Sequence, residues 1–102
     1  MRGVRVSRPA DRDLNHIWYY VARESGNVEI ADRLIESISK AFALFVKTPE
    51  AGKKRDEIAP GVRSFPVGNY IIYYSMTERY VVISRVLHGM RDQASAYSKR
   101  QV

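Results

Sequence analysis

The sequence predicts an α+β domain in which an N-terminal strand and an antiparallel helical hairpin pack on a small antiparallel sheet, in the order β-α-α-β-β-β. Two patterns carry this. Apolar residues recur at helical spacing from Leu14 to Phe45, and runs rich in valine, isoleucine and tyrosine fill Val62 to His88. A third observation is the shortness of the breaks. They leave no linker, repeat or low-complexity segment, so residues 1–102 are expected to form a single domain.

Val4 and Val6 alternate with Arg5 and Ser7, which predicts a short strand, and Pro9 sits where the first turn of a helix tolerates it. Leu14, Ile17, Trp18 and Val21 form one apolar face, with Asp11, Arg12, Asp13 and Arg23 assigned to the other. Gly26 stops this helix, and Asn27 can cap the next, with Glu29 in its first turn. Ile30, Leu34, Ile38, Ala41, Phe42 and Phe45 continue the apolar stripe until Thr48-Pro49 ends it. Two helices separated by so short a break must run back along each other, and their joint apolar face needs a sheet as cover.

Residues 50–61 read as a polar loop containing Lys53-Lys54-Arg55 and closing in the Pro60-Gly61 turn. Three strands follow, Val62 to Val67, Tyr70 to Ser75 and Tyr80 to His88. Gly68-Asn69 is a two-residue hairpin signal and Met76 to Arg79 a longer reversal, which gives an antiparallel meander to which the first strand can add. Pro66 places its strand at an edge or a bulge. The polar tail, Gln93 to Val102, reads as a short helix or loop.

Forty-five per cent apolar and 27 per cent charged residues is ordinary globular composition. With no cysteine, disulfides, thiolate metal sites and a cysteine nucleophile are excluded. Met1 to Val6 lacks the apolar run of a signal peptide, and no stretch approaches the roughly 20 apolar residues that span a bilayer, so the expected location is cytoplasmic and off the membrane. Seventeen basic residues against 11 acidic give a net charge of +6, and 12 of the basic residues are arginine. Such a field suits nucleic acid, a nucleoprotein machine or an acidic protein, and does not choose among them.

The chemistry-bearing stretch is Arg85-Val86-Leu87-His88-Gly89-Met90-Arg91-Asp92. Strand parity sets Tyr80, Val82, Ser84, Val86 and His88 against Val81, Ile83, Arg85 and Leu87, so without a bulge Arg85 and His88 point opposite ways. Neither His16 nor His88 has partners at metal-ligand spacing, and no glycine-rich phosphate loop precedes a helix, so no metal or cofactor is expected. A metal-free ribonuclease would need a base, an acid and cations around the scissile phosphate. His88, Arg91, Tyr97, Arg63 and Arg85 supply those residue types. The bland alternatives are a strand-end histidine held by backbone or water, and for His16 beside Trp18 a purely structural place.

Pro9-Ala10-Asp11-Arg12-Asp13-Leu14 with Ile17 and Tyr20, Thr48-Pro49 with Gly52, Gly61-Val62-Arg63, Asn69-Tyr70 with Tyr74, and the stretch Arg85 to Asp92 resemble the ParE branch of the ParE/RelE superfamily of toxin–antitoxin toxins. The resemblance spans nearly the whole chain in order. It implies a helical hairpin on a small sheet, and a cytosolic toxin silenced in a hetero-oligomer by a ParD-like antitoxin. Antitoxins of this kind lay a helix on apolar toxin surface and add a strand to the sheet, for which Val4, Val6, Trp18, Tyr19 and Tyr20 are the candidates here. RelE-like members cut messenger RNA on the ribosome, whereas ParE-like members inhibit DNA gyrase. This sequence departs from the RNA-cutting pattern: Ile71 stands where a functional arginine is expected, and Ser64 to Gly68 has no lysine, though Arg91 and Tyr97 match. The resemblance therefore implies a gyrase inhibitor that is not an enzyme. Arg63, Arg85, His88, Arg91 and Tyr97 are candidate target contacts, and direct nucleic-acid contact is compatible but not required. A ribosome-dependent endoribonuclease and an inactive, antitoxin-binding homologue are the alternatives.

Overall fold

The computed structural model describes residues 1–98; the last four residues of the expected tail lie outside the described residues. The elements are β1 (Gly3–Val6), α1 (Arg8–Ser25), α2 (Val28–Lys47), a 3-10 turn (Pro49–Ala51), β2 (Lys53–Lys54), β3 (Arg63–Val67), β4 (Tyr70–Met76), β5 (Tyr80–His88) and α3 (Gln93–Ser98). Ser7 caps α1, its hydroxyl accepting the Ala10 N–H, and Gly26 ends it in the left-handed region at φ 67°. Asn27 caps α2 by accepting the Glu29 N–H.

The sheet runs β1-β5-β4-β3-β2. The meander β3-β4-β5 is antiparallel as expected, but β1 pairs with β5 in parallel, so the sheet is mixed rather than antiparallel. The cause lies in the supposed loop. Lys53 and Lys54 pair antiparallel with Ser64 and Arg63, and this two-residue strand adds one more chain reversal before the meander. Pro66 lies beyond the reach of β2, on the part of β3 whose outer edge is open.

A register shift between Tyr73 and Tyr74 of β4 leaves Ser84 of β5 as a bulge, since Tyr73 pairs with Arg85 and Tyr74 with Ile83. The alternation predicted for β5 therefore breaks at Ser84. Val81, Ile83 and Val86 join the core under the helical hairpin, whereas Leu87 joins Tyr73 on the opposite face. Arg85 and His88 stay on opposite faces, because both lie beyond the bulge.

The larger core gathers Ile17, Ile38, Phe42 and Phe45 from the helices against Ile72, Tyr74, Val81 and Ile83. Phe45 and Tyr74 stack at 3.8 Å. The Tyr74 hydroxyl donates to the Pro49 carbonyl at 2.8 Å and accepts the Gly52 N–H at 2.7 Å, which pins the end of α2 to the sheet. A Cβ at Gly52 would lie 2.7 Å from the Tyr74 ring and 2.9 Å from the Ser64 carbonyl, so glycine is required there. Ile30, expected on the apolar stripe, is exposed instead. A smaller core on the other face joins Tyr73, Leu87, Val62 and Ala96, with Tyr97 partly buried against it.

Asp13 and Arg85 are buried at 4% and 3% exposure. Arg85 Nε donates to Asp13 Oδ2 at 2.7 Å and Nη2 to Oδ1 at 2.9 Å, while Nη1 donates to the carbonyls of Ala96 and Tyr97. Asp13 Oδ2 also accepts the Val86 N–H at 2.9 Å. Removing one partner strands a buried charge, so Asp13→Ala should lower the unfolding free energy by about 3–5 kcal/mol in urea denaturation. A loss under about 1 kcal/mol would contradict a structural role for the pair.

Burial raises the phenols of Tyr70, Tyr73 and Tyr74 above their ordinary value. A folded-state value above the unfolded one means their contribution is intact below about pH 10 and is lost as pH rises through the folded values. Phenolate absorbance during alkaline titration should show these three ionising late, together with unfolding; ionisation in the ordinary range with the fold intact would refute this.

Candidate functional site

β1 ends at its pairing with Ile83, and from there the open edge of β5 is met by α1 and its cap instead. Ser7 N–H donates to the Ile83 carbonyl, its hydroxyl donates to the Ser84 carbonyl, and Asp13 takes the Val86 N–H. Where the helix and the strand then diverge, a pocket of about 370 Å³ opens. Asp13, His16, Ile17 and Tyr20 line it from α1, Tyr70 from β4, and Val86, Leu87, His88 and Arg91 from the end of β5 and the following turn.

Ile17, Tyr70 and Val86 contribute apolar lining to the pocket, and Asp13 and His88 are held by identifiable partners. His88 Nδ1 accepts the Met90 N–H at 3.0 Å, so the neutral ring carries its proton on Nε2 and can donate from there. The His88 ring meets Tyr70 edge-on at 5.2 Å. Burial is the main cause of the raised Tyr70 phenol, and the Tyr20 phenol adds to it. Gly89 N–H donates to the Asn69 carbonyl, and Gln93 Nε2 donates to the carbonyls of His88 and Arg91, which holds the turn carrying Arg91. Arg91 itself is exposed.

Of the sequence candidates, this pocket brings together His88, Arg91 and Tyr20. Arg85 is buried and its donors serve Asp13 and α3, so its proposed role as a surface contact is corrected to one of framework. Arg63 lies two strands away on β3, where Nη1 donates to the Gly52 carbonyl. The Tyr97 ring packs edge-on against Tyr73 at 5.2 Å on the opposite face of the sheet. Val4 and Val6 are exposed on edge strand β1, and Tyr19 is exposed on α1. Trp18 is half-buried and donates to Asp32 at 2.7 Å, which links the two helices.

Sequence reasoning missed two residues. Asp13 was assigned to the polar side of α1 and His16 to structure alone. Asp13, Ile17 and Tyr20 nevertheless stand at i, i+4 and i+7, a spacing that puts the carboxylate on the buried face. His16 is four residues before Tyr20, which places both on the pocket rim. Among the described residues no cluster of three or more histidine, cysteine or acidic side chains could hold a metal.

The His88 geometry is open to a direct check. Long-range proton–nitrogen NMR spectra above neutral pH should show His88 with a protonated Nε2 and a bare Nδ1; the opposite tautomer would contradict the bond from Met90.

The model of a family described as the ParE toxin of the type II toxin–antitoxin system parDE matches residues 4–93. The chain is 29% identical over 94 residues to Toxin ParE3 of Caulobacter vibrioides, covering 92% of this chain and 93% of that one. Toxin ParE1 of the same organism is 30% identical over 88 residues, with 86% and 90% covered. A solved structure titled "Chromosomal ParDE TA system from P. aeruginosa" superposes with a TM-score of 0.74 at 20% identity, covering 86% of this chain and 96% of that one, and so shares the fold. With the fold, the near-complete coverage and the family match in agreement, the chain belongs to the ParE toxins of parDE type II toxin–antitoxin systems.

Proposed function

We propose that this toxin acts in the cytoplasm as one domain, inhibits DNA gyrase by binding it rather than by cutting RNA, and is neutralised by a ParD-like antitoxin. The observation that supports binding over cutting is the dispersal of the basic groups. A ribonuclease needs its base, acid and phosphate cations around one reacting atom. Here Arg85 is buried against Asp13, Arg63 stands two strands from His88, and Tyr97 packs on the opposite face. Ile71 and the lysine-free β3 remove further cations from the central strands. Each missing oriented donor would cost about 10²-fold or more in rate.

His88 and Arg91, at the turn after β5, are then the best placed of the candidate target contacts. The exposed β1 edge with Val4 and Val6, and the outer face of α1 with Tyr19 and Tyr20, suit an antitoxin that adds a strand and lays down a helix.

The test is purified toxin with gyrase, ATP and supercoiled plasmid, scored for linear DNA after protein digestion. Linear product that disappears when antitoxin is added is the expected result, and His88→Ala with Arg91→Ala should reduce it while the protein stays folded. Full supercoiling activity and no linear DNA at toxin excess would overturn the gyrase reading, and cleavage of message on translating ribosomes would replace it.

A further inference from the structure

At the end of the sheet away from His88, the turn from β4 into β5 meets the start of the chain. Arg2 Nε donates to the Thr77 carbonyl at 2.8 Å and the Gly3 N–H to the Arg79 carbonyl at 2.9 Å, which fastens the N-terminus to that turn. A depression of about 580 Å³ opens there, lined among others by Arg2, Gly3, Val46, Glu78, Arg79 and Tyr80. The Tyr80 ring passes 3.4 Å from where a Cβ would stand on Gly3, and the Arg5 guanidinium lies over that ring, 4.2 Å from its centroid. Stacking occupies one face of the guanidinium and leaves its in-plane N–H groups for another acceptor. No ion pair joins Arg2, Arg5 or Arg79 to a carboxylate among the described residues, although Arg33, Lys40, Arg55 and Arg85 each have one. No strand of the sheet carries a carboxylate, and Glu78 is the one acid lining the depression.

We propose that Arg2, Arg5 and Arg79, gathered around Tyr80, form a contact surface for the phosphate backbone of duplex DNA. Guanidinium forks present their donors in the planar geometry that phosphate oxygens accept. Unlike the pocket beside His88, this depression is lined more by polar than by apolar surface. It therefore lacks the apolar socket that anchors a protein partner, whereas a phosphate backbone needs spaced positive charges and no such floor. Arg5 covers the Tyr80 ring and so closes it to base stacking, which favours a duplex over a single strand. Backbone contacts of this kind carry no sequence preference. Tyr80 and His88 are the two ends of β5, about 26 Å apart along an extended strand. DNA held at one end thus leaves His88 and Arg91 uncovered at the other.

The test is fluorescence anisotropy of a labelled duplex oligonucleotide of arbitrary sequence, titrated with the full-length toxin at several salt concentrations. Three neutralised phosphates predict that the logarithm of the affinity falls against the logarithm of salt concentration with a slope of about −2.7. Arg5→Gln and Arg79→Gln should each make that slope shallower by about 0.9, and together they should weaken binding about tenfold or more at low salt. Both side chains are exposed, and thermal unfolding checks that the variants are folded. Lys53→Gln with Lys54→Gln, on the far edge strand, should leave slope and affinity unchanged. The assay contains no gyrase, so its result is independent of the gyrase reading. No binding of the duplex at about 50 mM salt would overturn the proposal, as would a slope that responds to the lysine pair and not to the arginines. Unchanged DNA binding by the arginine variants, with weakened capture of purified gyrase, would reassign the patch to a protein partner.

Discussion

The bidentate pair between Asp13 and Arg85 is the constraint on which the rest of the structure depends. It solves a backbone problem before it solves a charge problem. β1 is only four residues long, so the edge of β5 beyond Ile83 has no strand beside it. A buried N–H left there would carry its full desolvation cost, and Asp13 removes that cost by accepting from Val86. A carboxylate so placed needs a cation. Arg85 supplies it from the same strand, and its Nη1 donates to the carbonyls of Ala96 and Tyr97. One guanidinium thus fastens α1 and α3 to β5, at a position where neither the strand nor the helices could satisfy one another by apolar contact alone. For a domain of this size, with stability of about 5–15 kcal/mol, a pair worth several kcal/mol when broken is a large fraction of the total.

The bulge at Ser84 is what allows Arg85 to play that part. In regular alternation Arg85 would share a face with Val81 and Ile83, and a charge would enter the main core under the hairpin. The extra residue turns Arg85 and Leu87 to the α3 side and returns Val86 to the hairpin side. Ser84 keeps the bulge satisfied, with its hydroxyl donating to the Tyr73 carbonyl and its carbonyl accepting from Ser7. The sheet is consequently buried on both faces near Tyr73 and Tyr74. Adjacent tyrosines at 0% exposure point into separate cores, each with its hydroxyl partnered, one by Gln93 and the other by Pro49 and Gly52.

Local signals explain what the sequence disclosed. Ser7 to Pro9, Gly26-Asn27 and Gly68-Asn69 mark element ends through short-range sterics and capping, and the stripes from Leu14 to Phe45 set the hairpin's buried face. Direction and register are different in kind, because they depend on pairing between distant segments. The two residues of β2 are too few for any periodic pattern, yet they decide whether β1 meets β5 parallel or antiparallel. Ser84 carries no residue-type signature of a bulge. Asp13 misled for a related reason: a carboxylate on a helix reads as solvent-facing until its cation, 72 residues away, is known to be buried beside it.

The same geometry separates the charges by role. Arg85 is committed to the interior, Arg63 to the Gly52 carbonyl, and Arg55 to Glu57 and Ser64, so these cations shape the protein's own surface loops and core. Arg91 and His88, by contrast, stand on a turn fixed by Gln93 and Gly89 without any carboxylate ion pair among the described residues. That turn is held by the protein's own hydrogen bonds, so groups presented from it carry little further ordering cost. The Asp13–Arg85 pair stands at the head of the pocket beside His88, since Asp13 lines it and the pair ties α1 to β5 where the two begin to part.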